Sequence, residues 1–185
     1  MKGSTGLLVA ALLAAAFFIG RYLYKQPRFV NGDSGPNFST ELATGAAFEL
    51  RDLRGQYVLL DFWGSWCAPC LKALPELRAL YADYHDRAYT DADNFELISI
   101  GVETDAARWR QASDRLQLPW PYQILDLTTS ASFFNSPLAE QYGITEVPTT
   151  YLLDPEGQII GVNLSFPELR KLLDRRLANA DVSRR

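Results

Sequence analysis

Cysteine is scarce in this chain: there are only 2, Cys67 and Cys70, forming a single C-x-x-C pair. A zinc ribbon needs a second pair and a disulfide framework needs further partners, so both are excluded, and whatever the two sulfurs do they do together. Histidine is scarcer still. His85 stands alone between Tyr84 and Asp86 on a helical stretch, where it reads as a surface residue and not as a ligand or base. Excess charge of one sign is also missing: 18 Lys and Arg against 22 Asp and Glu leave a net charge of -4, which gives no electrostatic reason to expect nucleic acid. No internal repeat is present. What is present, 48% hydrophobic and 22% charged residues over 185 positions, suits one globular domain plus something small and argues against disorder.

The one long apolar run lies at the N-terminus. Leu7 to Ile19 is almost wholly apolar, and Tyr22, Leu23 and Tyr24 extend it past Arg21. A bilayer-spanning helix needs roughly 20 such residues and a signal-peptide core roughly 7 to 15, so length leaves both open. No small-x-small cleavage site follows the alanines, because the chain continues Phe17-Phe18-Ile19-Gly20-Arg21-Tyr22. An uncleaved transmembrane anchor over residues 1–27 is therefore expected. Tyr22, Tyr24, Lys25 and Arg28 suit a membrane interface, where rings and long cationic stems both reach water. Charge by itself, counted as Lys2 and the amino terminus against Arg21, Lys25 and Arg28, puts the following domain inside.

Residues 28–40 read as a linker, since Asn31 to Thr40 is a cluster of turn formers without apolar period. Residues 41–185 then form the domain. A short hairpin is expected around Phe48 to Leu50. Tyr57 to Trp63 is apolar on both faces except for Asp61, the pattern of a central strand covered on each side. From Ala68 the apolar residues Leu71, Leu74, Leu77, Leu80 and Tyr81 keep helical spacing, with Pro75 predicting a kink. Phe95 to Val102 is a second buried strand, Asp105 to Leu116 a helix, Tyr122 to Leu125 a short strand and Pro137 to Tyr142 a short helix. Thr149 to Leu153 and Gln158 to Asn163 flank Asp154-Pro155-Glu156-Gly157, which is good hairpin chemistry, and Ser165 to Leu177 closes the chain as a helix. Alternating strands and helices of this kind give an α/β sandwich around one mixed sheet.

The C-x-x-C pair falls where a strand ends and a helix begins. A thiol attacks only as its thiolate, and an ordinary cysteine near pKa 8.5 offers little of it at neutral pH. Cys67 at a helix start meets unpaired N–H groups and the positive end of the helix dipole. Lowering its pKa by about 1.5 units needs about 2 kcal/mol, near the limit of a helix terminus, so direct hydrogen bonds to sulfur are expected as well. The spacing lets both sulfurs meet within one turn. Cys67, exposed at the helix start, would attack a substrate disulfide, and Cys70, one turn inward, would resolve the mixed intermediate; Pro69 fits the first turn. Half a metal site and two unremarkable thiols remain alternative readings of the tetrad alone. Asp61 sits where a buried strand should carry an apolar side chain. Without a basic neighbour its pKa should rise towards neutrality, which suits a proton acceptor.

Asp61-Phe62-Trp63-Gly64-Ser65-Trp66-Cys67-Ala68-Pro69-Cys70, together with Val147-Pro148-Thr149-Thr150-Tyr151, resembles the thioredoxin superfamily. With the N-terminal apolar run the likeness narrows to the TlpA and ResA-like membrane-anchored thiol-disulfide oxidoreductases. The resemblance implies a thioredoxin-like three-layer sandwich, an extracytoplasmic domain in spite of the charge count, and exchange with protein disulfides or dithiols. A membrane electron donor and no cofactor complete that expectation. It implies that Pro148 is cis and sits against the redox pair, that Val147 offers its backbone to a substrate strand, and that Asp61 takes the proton of Cys70. Reduction of client disulfides, with cytochrome c maturation as the best-known setting, is the implied direction. One departure stands out: relatives of this kind commonly carry a glutamate three residues after the second cysteine, and Ala73 stands here, with Glu76 one turn on.

Other residues have blander readings. Trp66 is expected as an exposed cover beside Cys67 and Trp63 as packing. Glu103 reads as a solvated loop carboxylate, and Phe133 and Phe134 as a tucked loop or a partner surface. Two other functions compete. A thiol peroxidase shares this sheet, but a peroxidatic site does not require the second cysteine, and the usual threonine and proline before the attacking cysteine are absent. A membrane-anchored peptide-binding or chaperone module would use the cleft beside Pro148 and keep its activity without either cysteine.

Overall fold

In the computed structural model, residues 2–24 and 28–178 are described. Lys25 and the side chains of Lys2, Tyr22 and Tyr24, on which the interface and orientation expectations rest, lie outside the described residues. Helix α1, Lys2–Tyr24, runs unbroken within the expected anchor. Among the described residues, whose side chains are interrupted in this run at Leu8 and Ala10, no helix is long and apolar enough to cross a membrane.

The domain is built on a mixed five-stranded sheet. Its centre is β3, Tyr57–Trp63, flanked by parallel β4, Phe95–Glu103, and antiparallel β6, Thr149–Leu153; β5, Tyr122–Leu127, and β7, Ile159–Val162, complete the order β5-β4-β3-β6-β7. Every residue of β3 and β4 is buried, as near-continuous apolar composition requires of strands covered on both faces. The pleat alternates side chains between two layers. Tyr57 and Leu59 pack with Leu74, Leu77 and Leu80 of α2, Ala68–Tyr84, and with Leu169 and Leu173 of α5, Phe166–Asp174. Val58, Leu60 and Phe62 face the other way, onto Phe48 of the hairpin β1, Ser39–Glu41, and β2, Ala47–Glu49, and onto Leu138 and Tyr142 of α4, Pro137–Tyr142. Asp61 and Trp63 share the face that α2 covers. Helix α3, Ala106–Leu116, starts at Asp105, whose carboxylate accepts the N–H groups of Ala107 and Arg108, an ordinary N-cap.

The segment read as a linker is laid against the domain. Gly32 N–H donates to the Ile159 carbonyl at 2.8 Å, Ile159 N–H to Asp33 at 2.8 Å and Gly35 N–H to Gly157 at 2.9 Å, while Phe38 is 5% exposed within the hairpin-side core. The free outer edge of β7 supplies unpaired backbone groups, and turn formers leave theirs available to meet it. Helix α2 runs through Pro75 without ending.

Candidate active site

The end of β3, the loop Gly64 to Trp66 and the start of α2 set the site. Cys67 N–H donates to the Gly64 carbonyl at 3.0 Å. The residue caps α2 with its sulfur, which accepts the Cys70 N–H at 3.2 Å, so the expected direct hydrogen bond to Sγ is present. Cys67 and Cys70 are joined as a disulfide with their Cα atoms 5.3 Å apart. Across from them the Val147–Pro148 peptide is cis, and the Val147 carbonyl oxygen lies 3.6 Å from Cys67 Sγ. In the disulfide that sulfur carries no hydrogen, so this is a contact; only a reduced thiol there has a proton to donate.

Cys67 departs from expectation in its exposure. It is 4% exposed and Cys70 3%, because the disulfide-bonded pair packs in a cluster with Trp63, Trp109 and Ala112, with Val147 packed against it. Ala68, Pro69 and Pro148 around the pair are exposed. Trp66 also differs. It is half-buried, its indole N–H donating to the Val102 carbonyl at 3.0 Å and its ring 4.4 Å from that of Phe133. Phe133 and Phe134 are both half-buried and packed against the hairpin-side core, which is the tucked arrangement of their loop. Two glycines make room for these rings. A Cβ on Gly64 would come within 2.6 Å of Trp66 Nε1, and one on Gly101, opposite Trp63 in the β4 register, would collide with Trp109. Trp63 is packing, 2% exposed.

Asp61 is 3% exposed. Burial pushes its carboxyl up to about 7, with no opposing charge. It borders a cavity of about 170 Å³ shared with Ala73, Leu77, Pro148 and Phe166. The small side chain at Ala73 therefore leaves open space beside Asp61 where the resemblance anticipates a glutamate. Glu76 is exposed and does not line that cavity.

Two residues sit otherwise than the sequence reading expected, and a third, Asp126, was not reached by it. Glu103 is no solvated loop carboxylate: it ends β4 at 1% exposure and accepts the Ser65 N–H at 2.5 Å, and burial raises its pKa, partly offset by that hydrogen bond. Its signal was an acid at the end of a strand in which apolar residues predominate. Asp126 of β5, 3% exposed, accepts Ser136 Oγ at 2.5 Å and the Leu138 and Ala139 N–H groups at 3.0 and 2.9 Å. It thereby caps α4 from another element. His85, at the far end of α2, is not a free surface residue: its side chain is 26% exposed, its ring stacks 4.5 Å from Tyr81 and its Nδ1 lies 3.1 Å from the Phe95 carbonyl. Among the described residues no group of three or more His, Cys, Asp or Glu side chains converges as metal ligands.

Residues 55–159 match the family described as thioredoxin-like. The chain is similar to the thiol-disulfide oxidoreductase ResA of Bacillus thuringiensis subsp. konkukian, 27% identical over 139 residues, 75% of this chain and 72% of that one. It is also similar to ResA of Halalkalibacterium halodurans, 30% identical over 132 residues, 71% of this chain and 67% of that one. Among solved structures, a thiol-disulfide oxidoreductase from Bacteroides fragilis is 31% identical, with a TM-score of 0.61 over 76% of this chain and 99% of that one.

Proposed function

The chain belongs to the thioredoxin-like family and is a thiol-disulfide oxidoreductase of ResA type, and from that premise we propose that it reduces disulfides of extracytoplasmic proteins while tethered to a membrane by α1. The observation that carries the proposal is the redox pair at the start of α2, faced by the cis Val147–Pro148 peptide. In the reduced pair, the Cys67 thiolate attacks one sulfur of a client disulfide and expels the other as a thiolate. The Cys70 thiolate then attacks Cys67 Sγ, closes the disulfide seen here and releases the second client sulfur. Two electrons pass to the client. Asp61, held near neutrality by burial, takes the proton of Cys70 as that thiol becomes the attacking group. Trp66, Val147 and Pro148 border the opening to the pair and hold the client chain.

Tethering is supported by the apolar run Leu7 to Ile19, which lies within the unbroken helix α1. Leu7, Leu12, Leu13, Phe17 and Phe18 on it are exposed. A membrane electron donor would return the pair to the dithiol, in a setting like cytochrome c maturation or general thiol reduction.

Trapping tests the client step. Cys70→Ser leaves the mixed disulfide unresolved, so covalent adducts with extracytoplasmic proteins should accumulate and disappear in Cys67→Ser. Equilibration of the pair with glutathione tests direction: a potential near that of strong oxidants would overturn the reductase reading.

A further inference from the structure

The loop that carries Cys67 is tied to the end of β4 at two points. Ser65 N–H donates to Glu103 Oε1 at 2.5 Å, and Trp66 Nε1–H donates to the Val102 carbonyl at 3.0 Å. Glu103 is itself pinned, because its carbonyl accepts the Thr128 N–H at 2.9 Å. Its carboxylate is 1% exposed, with Arg108 of α3 and Asp105, which caps that helix, as the charged groups acting on it. A buried carboxylate is costly unless something uses its acceptors. Here the user is the main chain two residues before the sulfur that caps α2.

We propose that Glu103 is a positioning residue for the redox pair, holding the Gly64 to Trp66 loop so that Cys67 Sγ stays on the Cys70 N–H. Trp66 is held by Val102 and Phe133, but beyond that anchor and Glu103 the loop has little to fix it. Gly64 lacks a side chain, and the Cys67 N–H bonds only back to Gly64 within the same turn. Freed from Glu103, Ser65 would lose the bond that sets where Cys67 enters the helix, and the sulfur would move off its donor. A thiolate that loses a hydrogen bond moves back towards an ordinary pKa. What matters is the reach of the acceptor and not its charge, since the bonded group is an uncharged N–H.

The inference rests on the reading of Cys67 as the activated thiol, and length and charge can be separated at position 103. Glu103→Gln keeps an oxygen at the same distance without the charge; Glu103→Asp keeps the charge and withdraws the oxygen by one methylene. The reduced full-length proteins would be alkylated with limiting iodoacetamide across pH, the first-modified cysteine located by mass spectrometry, and the pair equilibrated with glutathione. Glu103→Gln should match the parent in both measurements. Glu103→Asp should react about tenfold more slowly at pH 7, the effect of a rise of about one unit in thiol pKa, and shift the glutathione equilibrium. Equal behaviour of the two variants, whether both altered or both unaltered, overturns the proposal. If Glu103→Asp does not fold, hydrogen exchange of the parent decides: the Ser65 amide should be protected, and free exchange there overturns the proposal. An ordinary thiol pKa in the parent would instead overturn the reading of Cys67, independently of Glu103.

Discussion

Asp61 shows how a single buried group ties stability to chemistry. Its carboxyl moves from 3.8 to about 7 in the fold, so between about pH 4 and pH 7 the folded chain holds a proton that the unfolded chain has released. Stability is therefore greatest, as far as this group is concerned, below its unfolded pKa, and is lost as pH rises through the folded value. Three units at 1.36 kcal/mol each set an upper bound of about 4 kcal/mol. Asp61→Asn should remove that loss: denaturant unfolding at pH 8 should show a more stable variant, and its pH dependence through the window should flatten. The same substitution should slow resolution of the mixed disulfide by about a hundredfold, and the parent's resolution rate should rise with pH through about 7. A variant that keeps both the pH-dependent stability and the resolution rate would remove Asp61 from the proton path. Sequence reading reached Asp61 because one acid in an apolar strand is conspicuous. Glu103, at the end of its strand, offered the same signal, but the end of a strand is also where a loop begins, and composition does not say which side of that boundary a carboxylate takes.

Elements depend on partners that are distant in the chain. Helix α4 has no side-chain cap of its own, and Asp126, which supplies one from β5, accepts three hydrogen bonds at its N-terminus. Asp126→Ala would leave those donors buried and should cost about 3 kcal/mol, read as a lower midpoint in urea, whereas an unchanged midpoint would show that the donors find other acceptors. Helix α2 carries the opposite defect. Pro75 sits inside it and is exposed, so Pro75→Ala should restore a backbone hydrogen bond at no packing loss and stabilise the domain by about 1 kcal/mol, or about 2 to 4 °C in Tm. The boundaries of α4 and β6 were legible to the residue, since proline, glycine and the turn at Asp154 to Gly157 mark them locally. The residues before β1 were not: turn formers describe a segment that makes no regular element of its own, and they are silent on whether a sheet edge lies beside it.

At the scale of the whole molecule, α1 as a tether makes a prediction about partitioning. Full-length protein should float with lipid vesicles and resist alkaline carbonate, and the chain from Arg28 onward should stay in the aqueous fraction; release of the full chain by carbonate would demote α1 to a peripheral contact. The sequence by itself determined the class of fold and the reactive pair, because periodicity at 2 and 3.6 residues and a strand-to-helix C-x-x-C are local signals. Only the tertiary structure decided how sheltered that pair is. Val147 reaches Cys67 across 80 positions of chain, Trp109 packs against the pair from α3, and Glu103 holds the loop from β4. Burial and hydrogen bonding at the sulfurs are sums over such distant neighbours, and no window of sequence around Cys67 contains them.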